Sequence, residues 1–401
     1  MTSVANTFKN ITMSRRIPKN HPYDYYHKIV TRSLSCGNSN NDRYNTRYDT
    51  QYNKPRRILP VFMGYLFEKT LQHGHSGLVF KGIWVKKNTE VVIKCCYKQS
   101  NWARELKVLN DLNHANIIKL VGVPVENALL PFDPRKLGSC KDSDGNNAID
   151  TTHKLHMFAL EYASNQDLYE VLMREKYFKE DITKYIFKQL VDGLLYAYEN
   201  GCGGDGISHR DIKLENIFVS KNGEIKIGDW GLAAFNTKNR LCYTSCGTLG
   251  YMSPELLCKQ PYKGEKADVW TLGMVLFIMA VGSRPYNEPK RRYKSYDSGY
   301  KEFDYHLKTM IEKKWNLWWL EHCFESNHLK QYSDDFKDLV QKCLEFDYEQ
   351  RISLQEIANH KWLNTVGGVG DEAESDNNYN SNAYNEEIRK KFVTMCNARK
   401  V

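Results

Sequence analysis

The sequence predicts an α+β protein built in two unequal parts, strands first and helices after. Two observations carry that expectation. Residues 61–161 contain short apolar runs separated by glycines and turn formers, which suits strands of a small sheet. From Asp167 onward apolar residues recur at helical spacing, most clearly over 181–198 and 267–281.

Taken in order, residues 1–60 are rich in Asn, Tyr, Ser and Arg, have no apolar period, and are expected to form a disordered basic tail. Eleven Lys and Arg oppose three Asp there, so +8 of the net charge of +9 lies in this segment. The rest is nearly neutral, and a basic whole-chain charge is no argument for nucleic-acid binding. The run 63–81 predicts strands joined by a tight turn. Val91, Val92 and Ile93 form a strand ending at Lys94, and Leu106, Leu109 and Leu112 space a helix over 102–112. Residues 126–153 look like a loop insertion before a strand at 155–161. A second insertion, basic at Lys290, Arg291, Arg292 and Lys294, extends to about residue 303. After Leu363 the chain turns Gly-, Asn- and acid-rich. Residues 364–401 are expected to form a flexible tail with a short final helix over 386–397.

Composition narrows the class. The chain has 401 residues, 41% apolar and 26% charged, as in a soluble globular protein. The longest apolar run, 269–281, is interrupted by Thr271 and Gly273 and is too short to span a membrane, and no secretory signal is expected. The 11 cysteines form no C-x-x-C pair and no zinc spacing, which suits reduced thiols in a cytoplasmic or nuclear protein.

The chemistry lies in three motifs. His209-Arg210-Asp211-Ile212-Lys213-Leu214-Glu215-Asn216 comes first, then Asp229-Trp230-Gly231, then Ser253-Pro254-Glu255. In that order and spacing the chain resembles the protein kinase family over about residues 63–363. Thr244-Ser245-Cys246-Gly247-Thr248 places it nearest the calmodulin-dependent and AMP-activated groups. The resemblance implies a two-lobed fold, with an antiparallel N-lobe sheet and one helix over about 61–162 and a helical C-lobe over 163–363. It also implies transfer of the γ-phosphate of ATP, with Mg²⁺, to protein serine or threonine hydroxyls.

Phosphoryl transfer asks mainly for positioning and charge neutralisation. By resemblance, Asp211 would hold the incoming hydroxyl and Lys213 would sit beside the transferred phosphate. Asn216 and Asp229 would supply hard oxygen ligands to the metal. Lys94 would grip the α- and β-phosphates and pair with Glu105, the only acid in range, although the separation of 11 is short for the family and implies a helix trimmed at its start. Gln72, Gly74 and Gly77 match the phosphate-covering loop, with Gln72 in place of its first glycine. Adenine would lie between Val79 and Val92 above and Phe218 below, against the backbone of Glu161 to Ala163, with Leu160 at the back and Asp167 near the ribose. Val92 and Trp230 replace the usual Ala and Phe, a combination also found in casein kinase II, and would reshape the pocket without removing a charge.

Lys213 and Thr248, on the substrate side, favour serine or threonine over tyrosine as acceptor. Thr244 occupies the regulatory phosphorylation position of the related groups, where an upstream kinase would act and Arg210 would receive the phosphate. Glu215, assisted by Asp167, would select an upstream basic residue of the substrate. Asp268, Trp270, Arg351, His360 and Trp362 read as scaffold, with Arg351 pairing Glu255. Two other readings compete. One is a pseudokinase scaffold, disfavoured because Lys94, Asp211 and Asp229 are all present. The other is a tail that acts itself, through Tyr and Arg, on nucleic acid or an acidic membrane surface, or as a mitochondrial presequence.

Overall fold

A computed structural model describes residues 59–74, 77–132, 134–137, 154–163, 166–286, 312–365 and 381–398. The basic tail, most of the first insertion and the basic part of the second lie outside the described residues.

The strand-rich part is one six-stranded sheet of order β1-β2-β3-β4-β6-β5, antiparallel throughout. Its strands are β1 (Val61–Phe62), β2 (Tyr65–Gly74), β3 (Gly77–Trp84), β4 (Thr89–Cys96), β5 (Val125–Ala128) and β6 (Leu155–Glu161). Side chains alternate across a sheet, and here the alternation separates two functions. Leu78, Phe80, Val91, Ile93, Met157 and Ala159 point to one face, where with Tyr65, Phe67 and Leu137 they form a small core of their own. Val79, Lys81, Val92, Lys94, Phe158 and Leu160 point to the other, paired Val79 with Lys94, Lys94 with Phe158, and Val92 with both Lys81 and Leu160.

The first insertion is more structured than a loop. β5 occupies its start, and a 3-10 turn over Pro134–Leu137 closes on the small core, where Thr70 donates its hydroxyl to the Pro134 carbonyl at 3.1 Å. Between β4 and β5 runs α1 (Gln99–Asp111), 13 residues long. It starts three residues earlier than its apolar spacing suggested.

The helical part is arranged around α5 (Gly264–Val281), whose residues are buried almost end to end. Such a helix is apolar on every side because protein surrounds it. Around it lie α2 (Leu168–Glu175), α3 (Glu180–Asn200), α4 (Pro254–Leu257), α6 (Trp315–Glu325), α7 (Asp334–Cys343), α8 (Leu354–Ala358) and α9 (Lys361–Asn364). Short two-stranded pairs, β7 (Ile207–Ser208) with β10 (Ala234–Phe235) and β8 (Ile217–Val219) with β9 (Ile225–Ile227), carry the polar motifs. The C-lobe is anchored by Arg351, which is 1% exposed and donates to both Glu255 oxygens at 2.8 and 3.0 Å, to the Lys266 carbonyl at 2.7 Å and to the Glu345 carbonyl at 2.8 Å.

The end of the chain corrects the expectation of a flexible tail, so far as it is described. Helix α10 (Ser381–Asn397) is longer than expected and is docked. Ile388, Phe392 and Cys396 are buried, Phe392 meets Phe178 and Tyr185 edge-on, and Arg174 donates to the Met395 carbonyl at 2.8 Å. Three apolar side chains four residues apart make one helical face, a signal that the surrounding polar composition masks.

Candidate active site

The catalytic loop is held from beneath by a buried acid. Asp268, in the first turns of α5, accepts the backbone N–H of His209 and of Arg210, both at 2.7 Å. Burial pushes its carboxyl up to about 7, against the pull of those two donors. His209 is fully buried and packs against Trp230, with ring centroids 4.5 Å apart and planes tilted by 56°. Its Nε2–H donates to the Gly228 carbonyl at 2.9 Å and its Nδ1 accepts the Asp211 N–H at 3.2 Å, so the network fixes the neutral tautomer. Burial keeps its pKa below the ordinary value. Arg210 at φ 68° and Asp229 at φ 58° adopt left-handed backbone, a conformation that costs a non-glycine residue energy and that the surroundings must impose.

Asp211 Oδ1 accepts both the N–H and the hydroxyl of Thr248, each at 2.8 Å. The Thr248 hydroxyl in turn accepts Lys213 Nζ at 2.8 Å, and Lys213 lies 3.2 Å from Asp211 Oδ2. Asn216 donates its amide to the Asp211 carbonyl at 2.8 Å and to Oδ2 at 3.3 Å, which turns its own carbonyl oxygen away from Asp211. Gly247 permits this closure, because a Cβ there would stand 2.7 Å from the Arg210 carbonyl.

Above the loop, Lys94 Nζ reaches Glu105 Oε2 at 2.7 Å and Asp229 Oδ1 at 2.6 Å. Glu105 is 1% exposed on α1, whereas the Asp229 side chain is 47% exposed. One ammonium cannot neutralise two carboxylates, so their pKa values part. Burial pushes Glu105 up to about 7, and Lys94 holds Asp229 down to about 2. The two carboxylates hold the Lys94 ammonium above its ordinary value, although burial works the other way. The short separation is met by starting α1 only five residues after Lys94.

The remaining expected residues fall around these. Gln72 pairs across the sheet with Val79, and Gly74 with Gly77; residues 75 and 76 are outside the described set. Gly77 is demanded by the sheet, since a Cβ at its φ of 146° would lie 1.8 Å from the Cys95 carbonyl. Val79, Val92 and Phe218 are half-buried, and a Cβ on Gly228 would meet the Phe218 ring at 2.8 Å. Glu161 ends β6 and Ala163 follows it; the Glu161 carboxylate accepts the Lys119 N–H at 2.9 Å. Asp167 caps α2 by accepting the Glu170 N–H at 2.8 Å, and burial raises its carboxyl to about 6. Glu215 is exposed beside Asp167. Thr244 is exposed, and Arg210 approaches it through Tyr262: Arg210 Nη1 donates to the Tyr262 hydroxyl at 3.2 Å, which donates to the Thr244 carbonyl at 2.9 Å.

Two contributors escaped the motif reading. Arg104 donates to the Gly231 carbonyl at 3.1 Å and braces the turn that carries Asp229. Tyr262 links the catalytic loop to the segment around Thr244. Neither lies in a motif, and no periodicity marks either.

The donor set suits a hard divalent cation held partly by phosphate. Asp229 offers an exposed carboxylate and Asn216 an amide oxygen, and among the described residues no three His, Cys, Asp or Glu converge as a complete metal cage. Mg²⁺ is commonly bound by one or two carboxylates with substrate phosphates completing its shell. Among the described residues no helix is long and apolar enough to cross a membrane.

Comparison with known proteins agrees with this geometry. The model of the family described as protein kinase domain matches residues 65–363. CBL-interacting protein kinase 26 of Oryza sativa subsp. japonica is 32% identical over 215 residues, which cover 53% of this chain and 38% of that protein. NUAK family SNF1-like kinase 1 of Homo sapiens is 26% identical over 310 residues, 75% of this chain and 38% of its own. SNF1-related protein kinase catalytic subunit alpha KIN12 of Arabidopsis thaliana is 27% identical over 317 residues, 77% and 53%. The matched part is thus about a third to a half of these relatives' own lengths. Matched over residues 65–363 and folded in two lobes, the chain belongs to the protein kinase family.

Proposed function

We propose that this protein is a serine/threonine protein kinase that uses ATP and Mg²⁺ and acts on protein hydroxyls. The observation that carries the reading is the seat of the Thr248 hydroxyl, 2.8 Å from both Asp211 Oδ1 and Lys213 Nζ. It supports the reading because a hydroxyl and a lysine ammonium lie together against the Asp211 carboxylate, the arrangement an acceptor hydroxyl would need. When bound, Mg²⁺·ATP supplies the phosphoryl group and shields its charge. Asp229 and Asn216 would hold the metal, Lys94 would bind the phosphates while Glu105 orients it, and Val79, Val92 and Phe218 would enclose the base against the backbone of Glu161 to Ala163. Gln72, Gly74 and Gly77 would cover the phosphates.

Thr244 is the position we propose for regulatory phosphorylation by an upstream kinase. The support is its exposure and its link through Tyr262 to Arg210, whose guanidinium would meet the added charge. Glu215 lies close enough to Asp167 to help raise its carboxyl, and the two acids together support selection of a basic residue in the substrate. The protein is proposed to work in the cytoplasm or nucleus, with protein substrates and without nucleic acid.

A turnover assay with serine, threonine and tyrosine peptides, set beside the Asp211→Asn variant, tests the activity. Phosphate on serine and threonine peptides from the wild type alone is the expected result. Thermal stabilisation by Mg²⁺·ATP without any turnover would instead identify a pseudokinase.

A further inference from the structure

We propose that Arg174 is a positioning residue for the nucleotide and that helix α10 holds it in place, so that the seating of α10 sets the affinity for ATP. The inference rests on the kinase reading, because it takes Asp167 and Phe218 as neighbours of the ribose and the base.

Arg174, near the end of α2, joins parts of the chain that are 221 residues apart in sequence. Its Nη2 donates to the Met395 carbonyl at 2.8 Å and to the Cys396 carbonyl at 3.5 Å. Its Nη1 donates to the side-chain oxygen of Gln166 at 3.4 Å, and its Nε to Glu175 at 3.2 Å. Met395 and Cys396 lie in the last turn of α10. The carbonyls of a last turn lack donors from their own helix, and a cation is favoured beside them. One guanidinium is thus shared between the end of α10 and Gln166.

Gln166 is the residue that needs holding. Its φ of 70° is left-handed, a conformation that a residue with a side chain adopts at a cost. In that conformation its carbonyl accepts the Val219 N–H at 3.1 Å, and the next residue, Asp167, bridges to Phe218. One left-handed residue therefore fixes Asp167 and Phe218 relative to each other, the first beside the ribose and the second below the base. Turning Gln166 would move both.

Helix α10 also grips the turn of the β8–β9 hairpin that carries Phe218. Arg389 donates to the Asn222 carbonyl at 2.9 Å and is itself held by both Glu386 oxygens at 2.6 and 2.7 Å. Val393 closes over Gly223, where a Cβ would stand 2.8 Å from its Cγ2. Tyr185 donates its hydroxyl to the Gly223 carbonyl at 3.1 Å, and its ring meets Phe392. The helix lies after residue 363, where the match to the family ends, so it is an addition to the matched domain that braces the nucleotide side from behind.

The test measures the affinity of the full chain for Mg²⁺·ATP by calorimetry, together with KM for ATP and for a peptide. Wild type, Arg174→Leu, Arg174→Lys, Phe392→Ala and the double variant Arg174→Leu with Phe392→Ala are compared. A fault of stability alone would lower turnover and leave these constants unchanged. Arg174→Leu should weaken ATP binding about five- to tenfold, with KM for the peptide unchanged. Arg174→Lys should recover part of that loss, since its single ammonium keeps the charge but not the fork. Phe392→Ala, which touches neither Arg174 nor the nucleotide, should weaken ATP binding in the same direction. The double variant should lose no more than Arg174→Leu alone. Hydrogen exchange of the α10 amides reports whether the helix has left its seat. The inference is wrong if Arg174→Leu binds ATP as the wild type does, if the two losses multiply in the double variant, or if α10 exchanges freely while ATP affinity is unchanged. Wild type that binds Mg²⁺·ATP without turnover would strike the kinase reading and leave this comparison standing, and wild type that binds no ATP would overturn both.

Discussion

Two buried charge clusters, one in the cleft and one at the base of the C-lobe, use similar groups to opposite ends. At the base, one guanidinium serves one carboxylate: Arg351 grips Glu255 with two donors and spends its others on backbone carbonyls, over the face of Trp270. Every donor of that guanidinium has an acceptor inside the protein, which is what a rigid scaffold requires. In the cleft, one ammonium serves two carboxylates, and the more exposed of them, Asp229, lies open at 47%. That cluster is short of positive charge by itself. The difference teaches that a closed pair holds a fold, whereas an incompletely neutralised one prepares a place for a cation.

The largest expected effect lies on the cleft side. Asp229→Ala and Lys94→Met should each lower turnover by about a hundredfold or more, with little change in the unfolding temperature. Retention of more than a few per cent of wild-type turnover by either variant would show that the cleft cluster is not the catalytic one. Arg351→Ala should do the reverse. Leaving Glu255 buried without its partner costs about 3–5 kcal/mol of stability, which urea denaturation would read, while turnover per folded molecule should fall far less. Equal losses of activity and stability in both sets of variants would erase the distinction.

The acidity of the cleft sharpens it further. With its carboxyl pushed up to about 7 by burial, Glu105 takes up a proton as pH falls below 7 and loosens its hold on Lys94. The kcat/KM of the wild type should therefore decline on the acid side of 7, and Glu105→Gln should be slower and lack that limb. The stability signs are opposite for the two acids. A raised pKa means that folding with Glu105 becomes less favourable as pH rises from about 4.5 to 7. A lowered one means that the contribution of Asp229, present above its unfolded value near 3.8, is lost as pH falls towards 2. A stability difference between wild type and Glu105→Gln that did not vary between pH 5 and 7 would contradict this.

Smaller effects belong to the segment around Thr244. Thr244→Ala should lower activity several-fold, less than the cleft variants because it acts on the order of a loop and not on charge at the phosphates. Phosphatase treatment of wild type should lower it similarly, and full activity in the dephosphorylated protein would remove the regulatory role.

How far these regions could be read from sequence depended on what fixes each residue. Strand β6 falls at residues 155–161, as its apolar run suggested, with every residue but Glu161 buried. Lys94, Glu105, Asp211, Asn216 and Asp229 were visible as motif members, and the fold joins Lys94 with Glu105 and Asp229, and Asp211 with Asn216. Gly77 was visible as a glycine, but its reason, the Cys95 carbonyl behind it, is a contact between strands that spacing does not record. Tyr262 and Arg104 were invisible because each acts through a backbone carbonyl far along the chain, where residue type carries little signal. Helix α10 was half seen: its apolar face is spaced correctly, but what it docks on lies some two hundred residues earlier, at Arg174, Phe178 and Tyr185.

The claim that the cleft cluster awaits a cation is tested most directly by calorimetric titration of ATP into the protein with and without Mg²⁺. Wild type, Asp229→Asn and Arg351→Ala would be compared at a temperature where all three are folded. Mg²⁺ should tighten ATP binding to the wild type and to Arg351→Ala, and Asp229→Asn should lose most of that gain. An equal gain from Mg²⁺ in Asp229→Asn would contradict the account.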